Sequence, residues 1–336
     1  MKHYCGIDLH SNNHVIIVID EEDKRVFERR VSNDLSLTIK ALSPYRKTLQ
    51  GIAVESTFNW YWLVDGLEAE GYDLQLVNTA AVKQYDGLKY CNDHSDAFHL
   101  AHLMRLGILP TGYIYPKEQR AIRDLFRRRI SLVRMASTQL ISVQSQIWRS
   151  TGTRISSNEL RKLEFTPQGL DRYTQQTVHA GLSVYQSIQQ EINALEQSAY
   201  QAIKLKKSFE ILQTITGVGK ILGLTIMLET GDIRRFASPG KFASYCRCVD
   251  SQRISNGKKK GTGNAKAGNK YLSWAFSEVA HYVVRFEPLA QRFYERKKAK
   301  TNGIIAIRAV ARKLARATWM MLRHQQPYDA HLMFPG

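Results

Sequence analysis

KHYCGIDLHSNNHVIIVID, residues 2–20, is the stretch that decides the fold of the first part of the chain. It contains two short apolar runs, YCGIDLH and HVIIVID, which have the length and composition of buried strands. The acidic turn at residues 21–24 follows, and RVFERRV at 25–31 is a third strand-like run. Three strands joined by such short turns predict an antiparallel meander.

The next segments alternate between helical and strand patterns. They are a short helix in SLTIKALSPY, a buried strand in GIAVEST at 51–57, a helix in YWLVDGLEAEG that ends at Gly71, and a strand in YDLQLVN. The order β-β-β-α-β-α-β matches a ribonuclease-H-like α/β domain, in which the first and fourth strands lie side by side. SDAFHLAHLMRLG at 95–107 predicts a further helix, with Ser95 as its N-cap and Gly107 at its end.

Four acidic residues in this region are candidates for a metal site. Asp8 and Glu55 lie inside apolar strand patterns, where a carboxylate is costly unless it is paired or bound to a cation. Asp93 and Asp96 lie at the start of the predicted helix, and their spacing of three lets them point the same way. If these places converge, they form an oxygen-lined site suited to Mg²⁺.

The charge distribution indicates a polyanionic partner. The chain has 336 residues, with 48 Lys and Arg against 30 Asp and Glu and a net charge of +18. Residues 1–100 carry 10 basic and 15 acidic side chains, whereas residues 251–336 carry 17 and 4. Basic charge at one end with an acidic metal site at the other favours phosphodiester chemistry on nucleic acid.

A membrane partner is disfavoured, because no segment reaches the roughly 18 apolar residues that span a bilayer. We also expect no signal peptide, since a strand begins within a few residues of Met1, and therefore a cytoplasmic protein that associates with the nucleoid when bound to DNA. The four cysteines form no CxxC pair, and we expect reduced, partly buried thiols. His94, His99 and His102 lie beside the acidic pair; packing and hydrogen bonding explain them better than metal ligation.

Two long amphipathic helices are predicted after Pro116. The first covers residues 117–149 and the second 174–205, with a polar tip between them, which is typical of an antiparallel coiled-coil arm. Their apolar positions near heptad spacing are Phe126, Ile130, Val133, Leu140 and Ile147, then Ile188, Ile192, Leu195, Ala199 and Ala202.

The last part of the chain contains three further signals. In ILQTITGVGKILGLTIMLETGD, Gly217 and Gly219 flank a tight turn between helical patterns, which predicts a helix–hairpin–helix element whose amides can hold a phosphate. Residues 250–270 are rich in glycine and lysine, and we expect a mobile loop there. Two basic helical stretches follow, at about 269–299 and 303–324.

Several of these segments together resemble a known family. GIDLHSNNHVIIVID, IAVESTFNWY, NDHSDAF, ITGVGKILGLTIMLETGDIRRFASPGKFASYC and SNGKKKGTGNAKAGNKYL are similar, in this order, to transposases of insertion-sequence family 110. These are DEDD recombinases related to Piv-type DNA invertases, and HSNNHV resembles the subgroup typified by insertion sequence 1111. The resemblance implies a RuvC-like domain at 1–112, a coiled-coil arm at 113–207 and a mainly helical transposase domain at 208–336.

The resemblance also implies a mechanism. Asp8, Glu55, Asp93 and Asp96 would bind Mg²⁺, and Ser255, aligned through KAGNKYL, would attack the scissile phosphate to form a covalent serine–DNA link, with Ser251 as the alternative nucleophile. Implied partners are donor and target DNA, a noncoding guide RNA of the bridge or seeker type, and further copies of the chain. A homodimer would assemble into a homotetramer in which serine and acids from different subunits share one site. The candidate nucleic-acid-binding residues are Gly217, Gly219, Lys220, Arg253, Lys258, Lys259, Lys260, Lys266 and Lys270.

Three other functions are compatible with parts of the sequence. A Mg²⁺-dependent nuclease of the Holliday-junction resolvase type would use the same acids with water instead of serine. An actin-like kinase could begin with GIDLHSNNHVIIVID, but the glycine-rich phosphate loops that it needs are absent before residue 200. A non-catalytic RNA-binding scaffold would need neither the acids nor the serine.

Overall fold

The computed structural model describes residues 1–82, 92–162, 169–250, 252–262 and 267–335. The chain divides into two compact units, Met1–Lys117 and Glu118–Gly336. Within the described ranges, the first unit is a sheet flanked by helices, and the second is mainly helical.

A five-stranded mixed sheet organises the first unit. Its strands are β1 (His3–Leu9), β2 (Asn13–Ile19), β3 (Arg25–Ser32), β4 (Leu49–Glu55) and β5 (Leu74–Val77), in the spatial order β3-β2-β1-β4-β5. The first three strands pair antiparallel, whereas β4 runs parallel to both β1 and β5. The predicted meander and the adjacency of the first and fourth strands are confirmed, and the arrangement is consistent with a RuvC-like domain.

Helices cover both faces of this sheet, which explains why its central strands are apolar on both sides. Alternate residues of β1, from Cys5 to Leu9, pack on one face with α1 (Leu35–Leu42) and α2 (Tyr61–Ala69). On the other face, alternate residues of β2 pack against Ala97 and Ala101 of α3 (Asp93–Arg105). The face that carries α3 is the one that matters for the candidate site.

The start of α3 differs from the sequence expectation. Asn92, rather than Ser95, is the N-cap: the Asn92 side chain accepts a hydrogen bond from the Ser95 backbone, and the Ser95 hydroxyl accepts one from the Asn92 backbone. This reciprocal pair satisfies two amide donors at the helix start, and it brings Asp93 inside the first turn. The end of α3 agrees with the prediction, because Gly107 adopts a positive φ of 69° just after the last turn.

Two long helices, α4 (Lys117–Thr151) and α6 (Arg172–Ile203), pack together in the second unit. Arg129 contacts Glu196, and Val143 faces Gly181, so the two helices run in opposite directions. Buried residues recur at a spacing of seven in α6, although Ala202 is exposed and Ile203 takes the buried place. The buried positions of α6 are Val178, Tyr185, Ile192, Ala199 and Ile203.

The remaining helices of the second unit pack around a large hydrophobic core, and two of them also join a smaller cluster with α4 and α6. They are α7 (Lys207–Gln213), α8 (Lys220–Thr230), α9 (Pro239–Tyr245), α10 (Lys270–Phe286), α11 (Pro288–Lys300), α12 (Gly303–His324) and the short α13 (Ala330–Met333); the short α5 (Ser157–Arg161) packs at the α4–α6 tip instead. The helical stretch predicted at 269–299 is in fact two helices, because Pro288 cannot donate a backbone hydrogen bond and ends α10 at the preceding turn.

The segment 250–270 contains regular structure that the sequence analysis assigned to a loop. Strands β6 (Gln252–Ser255) and β7 (Lys258–Thr262) form an antiparallel hairpin. Asn256 and Gly257 connect them with positive φ angles of 50° and 68°, as a two-residue hairpin turn requires. The loop prediction was therefore wrong for residues 252–262.

Among the described residues, no helix is both long enough and apolar enough to cross a bilayer. Cys5, Cys246 and Cys248 are buried free thiols, in agreement with the sequence expectation, and Cys91 lies outside the described residues.

Candidate active site of the first unit

The β-strand alternation places Asp8 and Glu55 side by side. Ile7 pairs with Val54 across β1 and β4, and both belong to the core beneath α1 and α2. The next residue of each strand points to the opposite face, where Ala53 already packs against α3. Asp8 is 3% exposed, and its carboxyl group is in hydrogen-bonding contact with that of Glu55.

Gly6 lets α3 lie directly on this strand. A Cβ at position 6 would come within 2.0 Å of the Ala97 carbonyl oxygen and 2.8 Å of the Ala101 nitrogen. Because no side chain intervenes, the first turn of α3 reaches the end of β1 that carries Asp8. The sequence prediction that the acids of three segments come together is thus explained by close helix–strand packing.

Crowding of negative charge changes the proton affinity of two of these acids. Burial, the hydrogen bond to Asp8 and the charges of Asp8 and Asp96 raise the pKa of Glu55 from 4.5 to about 8. Burial and the charges of Asp8 and Asp93 likewise raise the pKa of Asp96. Asp8, Glu55 and Asp96 therefore form a set of carboxylates whose mutual repulsion a cation would relieve.

Asp93 has a different environment. Its Oδ2 lies 2.5 Å from Arg30 Nη2 and 3.2 Å from His10 Nε2. The hydrogen bond from Arg30 lowers the pKa of Asp93, and the charges of His10 and Arg30 lower it further. The two acids of α3 thus contact different partners, although their spacing had suggested a common direction.

His10 is the site residue that sequence reasoning missed. Its Nε2 lies 3.2 Å from Asp8 Oδ2 as well as 3.2 Å from Asp93 Oδ2. Asp8, His10 and Asp93 each offer one ligand atom, and these atoms all lie within 4.8 Å of one another. The signal was present in the spacing Asp8-x-His10 at the end of a strand, where a polar residue two positions on returns to the same face.

The donor set fits a hard divalent cation. Carboxylate oxygens are the ligands that Mg²⁺, Mn²⁺ and Ca²⁺ prefer, and the imidazole nitrogen of His10 is compatible with Mn²⁺ as well. An open cavity of about 300 Å³ adjoins the set, which gives a substrate access to it. The cavity is lined by Glu55, Thr79, Val82, Asp96, His99 and Leu100.

The three histidines of α3 separate. His94 Nδ1 lies 2.5 Å from Glu28 Oε1, and His102 Nδ1 lies 2.9 Å from Asp23 Oδ1. Only His99 lines the cavity. In the part of the chain that the structure describes, the group close enough to share an ion includes none of these three, so pairing with carboxylates explains His94 and His102 as the sequence analysis expected.

Candidate nucleophile and basic residues of the second unit

Ser255 is the last residue of β6 and is exposed beside the hairpin turn. It pairs with Lys258 across the hairpin, and directly opposite residues of an antiparallel pair project their side chains from the same face. Lys258 and Lys260 are exposed on β7. The backbones of Arg253 and Lys259 belong to the same ladder, whereas Ser251 and Lys266 lie outside the described residues.

The other predicted nucleic-acid-binding residues lie elsewhere in the second unit. Gly217 has a φ of 84°, and a Cβ there would lie 2.3 Å from the Cβ of Tyr282, so close packing also accounts for this glycine. Gly219 is the N-cap of α8 and borders open space. Lys220 and Lys270 are exposed, with their ammonium groups 4.4 and 5.2 Å from the ring centres of Tyr200 and Tyr271.

Comparison with known proteins

Comparison with known proteins assigns the chain to a family. A DEDD transposase family model of the IS110 type, described as "Transposase", matches residues 5–148, and a model of the "Transposase IS116/IS110/IS902 family" matches residues 209–295. The first match covers the four acids, and the second covers the hairpin with Ser255.

Individual relatives agree with this assignment. The transposase for insertion sequence element IS1111A of Coxiella burnetii is 22% identical over an alignment of 338 positions, gaps included, which covers 96% of this chain and 90% of that protein. The y4qE protein of Sinorhizobium fredii, named as a candidate transposase, is 26% identical over 267 residues, 78% of this chain and 66% of the relative. A 42 kDa protein of insertion element IS900 from Mycobacterium paratuberculosis is 31% identical over 128 residues, 35% of this chain and 30% of the relative. This chain therefore belongs to the IS110 family of transposases, enzymes that cut and rejoin DNA.

Proposed function

We propose that this transposase exchanges DNA strands by a Mg²⁺-dependent mechanism in which Asp8, Glu55, Asp93 and Asp96 hold the metal. The observation that carries this proposal is the convergence of the carboxyl groups of Asp8, Glu55 and Asp96 where β1, β4 and α3 meet. Burial, the hydrogen bond to Asp8 and the charges of Asp8 and Asp96 raise the pKa of Glu55 to about 8, and a bound cation would offset the repulsion among these acids. A bound divalent cation supplies Lewis-acid polarisation of the scissile phosphate.

Residues of the first unit position the acids and leave room for the substrate. The rigid β1–β4 pair fixes Asp8 and Glu55, and Asp96 on α3 closes the third side. Arg30 and His10 hold Asp93 from the side of β3 and β1. The cavity beside Glu55 and Asp96 receives the phosphodiester, which the basic residues of the protein attract as a polyanion.

We infer that Ser255 is the nucleophile, by the family resemblance and by its exposure at the hairpin tip. Its Oγ forms a bond to phosphorus while the bond from phosphorus to the leaving sugar oxygen breaks. The serine proton passes to solvent, and the leaving oxygen gains a proton from solvent. One phosphodiester replaces another, so the reverse step can join a new strand without an external energy source.

One substitution distinguishes the serine mechanism from the alternative, a nuclease that uses water as its nucleophile. Ser255→Ala, tested beside Ser251→Ala with a supercoiled donor and a target plasmid, is expected to abolish strand exchange and the covalent protein–DNA product. Ser251→Ala is expected to retain both. If Ser255→Ala recombines DNA with undiminished yield, the serine mechanism is wrong.

We further propose that a noncoding guide RNA of the bridge or seeker type directs this reaction. Base pairing would carry sequence specificity, while the amides of a glycine turn and basic side chains hold the backbones of RNA and DNA. The residues with that role are Gly217, Gly219, Lys220, Arg253, Lys258, Lys259, Lys260, Lys266 and Lys270. Purification of the protein from its host, followed by sequencing of bound RNA, tests this. Recovery of no discrete RNA from beside the gene would count against guidance.

The assembly is also a proposal that rests on the resemblance. We propose a RuvC-like domain at 1–112, a coiled-coil arm at 113–207 and a transposase domain at 208–336, in which residues 211–232 form the helix–hairpin–helix element. A homodimer pairs into a homotetramer, so that acids of one copy act with the serine of another. A mixture of the Asp8→Ala and Ser255→Ala proteins is then expected to regain strand exchange that neither has alone. No recovery in the mixture would contradict action between copies.

A further inference from the structure

The hairpin that carries Ser255 rises from a closed base. The backbone N–H of Asn269 donates to the Tyr245 carbonyl at 2.6 Å, and Arg247 Nε donates to the carbonyls of Ala267 and Gly268, each at 3.1 Å. Gly268 has a φ of 87°, and a Cβ there would lie 2.6 Å from the Tyr245 oxygen. The chain entering the hairpin and the chain leaving it are therefore held together below β6 and β7.

Asn269 connects this base to the helical core. Its side-chain oxygen accepts from the backbone N–H groups of Tyr271 and Leu272, at 2.9 and 3.1 Å, and so caps α10. Its amide nitrogen donates to Glu229 Oε2 at 2.6 Å. Both ends of one buried side chain are thus committed, which fixes its rotamer and its neighbours.

Glu229 in turn binds Arg127 of the long helix α4. The carboxylate is 4% exposed, and it accepts from Arg127 Nε at 2.6 Å and from Arg127 Nη2 at 2.7 Å. The Arg127 guanidinium also lies 4.9 Å from the ring centre of Tyr271. Burial alone would lower the pKa of Arg127, but the hydrogen bonds and charge of Glu229 outweigh it and raise this pKa. A continuous polar connection runs from α4 through α8 to the base of the hairpin.

A buried ion pair adds little net stability compared with apolar residues of the same shape, whereas its hydrogen bonds demand one geometry. Ile254, Ser255, Asn256, Gly257 and Lys258 at the hairpin tip are all exposed, so a fixed geometry at the base would limit the directions in which the tip can point. We propose that Glu229, Arg127 and Asn269 are positioning residues that hold the hairpin base and so set the direction in which Ser255 is presented. This inference rests on the proposed role of Ser255.

The test compares two glutamates that bind arginines of the same helix. Glu229→Gln weakens the connection, and the matched control is Glu196→Gln, because Arg129 binds Glu196 Oε1 at 2.7 Å within the α4–α6 pair, away from the hairpin base. Backbone hydrogen exchange of residues 252–262 and formation of the covalent DNA product are measured on the full chain, together with DNA affinity. We expect Glu229→Gln to speed hairpin exchange and slow product formation, each by about tenfold, because charged hydrogen bonds are lost.

DNA affinity and exchange in residues 1–82 are expected to stay unchanged in Glu229→Gln, and Glu196→Gln is expected to match the parent protein in hairpin exchange and product formation. If Glu229→Gln does not accumulate as folded protein, Arg127→Gln with Arg129→Gln as its control answers the same question. Hairpin exchange that is unchanged, or that rises equally in the control, overturns the proposal. If Ser255→Ala still forms the covalent product, the proposed nucleophile is wrong, while the exchange data still decide whether Glu229 anchors the hairpin.

Discussion

Glu55 and Glu229 are both carboxylates among apolar neighbours, and they are satisfied in opposite ways. Glu229 has its cation built in, because Arg127 binds both of its oxygens and Asn269 binds one of them again. Glu55 faces Asp8 and Asp96, and its pKa rises to about 8. The difference teaches that burial of an acid does not by itself indicate a binding site, and that carboxyl groups clustered against one another are the stronger signal. In the proposed function, the acids of the first unit bind a ligand, whereas Glu229 in the second unit serves as internal support.

The largest effect that can test this contrast is on DNA strand exchange. Glu55→Gln is expected to reduce its rate by at least about a thousandfold, since Lewis-acid polarisation contributes several kcal/mol to such barriers. The same change removes repulsion, so the melting temperature measured in chelator should not fall. A melting temperature well below that of the parent protein would mean that Glu55 is a structural residue instead.

Removal of Glu229, the acid that is paired with an arginine, should lower the stability of the fold more than removal of Glu55 does. Glu229→Ala leaves the Arg127 guanidinium without its partner, and we expect the free energy of unfolding to fall by about 3 kcal/mol. Denaturant unfolding of the full chain, followed by circular dichroism, measures this, with Glu196→Ala as the more exposed comparison. Equal losses in both variants would remove the distinction between a buried support and an ordinary interhelical ion pair.

A third test uses protons and cations at Glu55. A carboxyl group with a raised folded-state pKa stabilises the protein fully below its unfolded pKa of about 4.5, and this contribution is lost as the pH rises to about 8. In chelator, stability should therefore decline from pH 5 to pH 8 more in the parent protein than in Glu55→Gln.

Added Mg²⁺ or Mn²⁺ should reverse that decline in the parent protein. At a hundred times the dissociation constant, the gain is expected to be about 2.7 kcal/mol. Thermal unfolding across a cation titration at pH 8 gives the measurement. A gain of the same size in Glu55→Gln would place the cation elsewhere.

The smallest effect concerns Asp93, which already has a positive partner. Arg30→Gln removes a half-exposed ion pair, so we expect a change in stability within about 1 kcal/mol. Divalent cation affinity should rise by less than about fivefold, because Asp93 then no longer binds a competing cation. Weaker cation binding in Arg30→Gln would show that Arg30 orients Asp93 for the metal instead of competing with it.

The sequence predicted the part of the site that depends on strand periodicity. Asp8 and Glu55 stood out because a carboxylate in an apolar strand demands an explanation, and neighbouring strands brought them together as expected. His10 and Arg30 did not stand out, since each lies in a polar stretch, and polar residues in such stretches usually lie on the surface. Their contacts with Asp93 depend on how α3 crosses the sheet, which no local pattern specifies.

In the second unit, too, local sequence patterns did not predict contacts that depend on tertiary packing. Asn256-Gly257 is a strong hairpin signal, but the lysine-rich composition around it favoured a loop. Glu229 lies near the end of an apolar helix and reads as a residue of the helix terminus. Its partners are 102 and 40 residues away along the chain, and pairing over such separations is set by tertiary packing.

The absence of a side chain at position 6 has a genetic consequence. The separation between the carboxylates of β1 and those of α3 is set by backbone contact, so it cannot be adjusted gradually by small substitutions. A gene copy that encodes alanine at this position is expected to produce an inert transposase even though every acid and Ser255 are intact. A check of the candidate catalytic residues alone would therefore classify such a gene copy as functional.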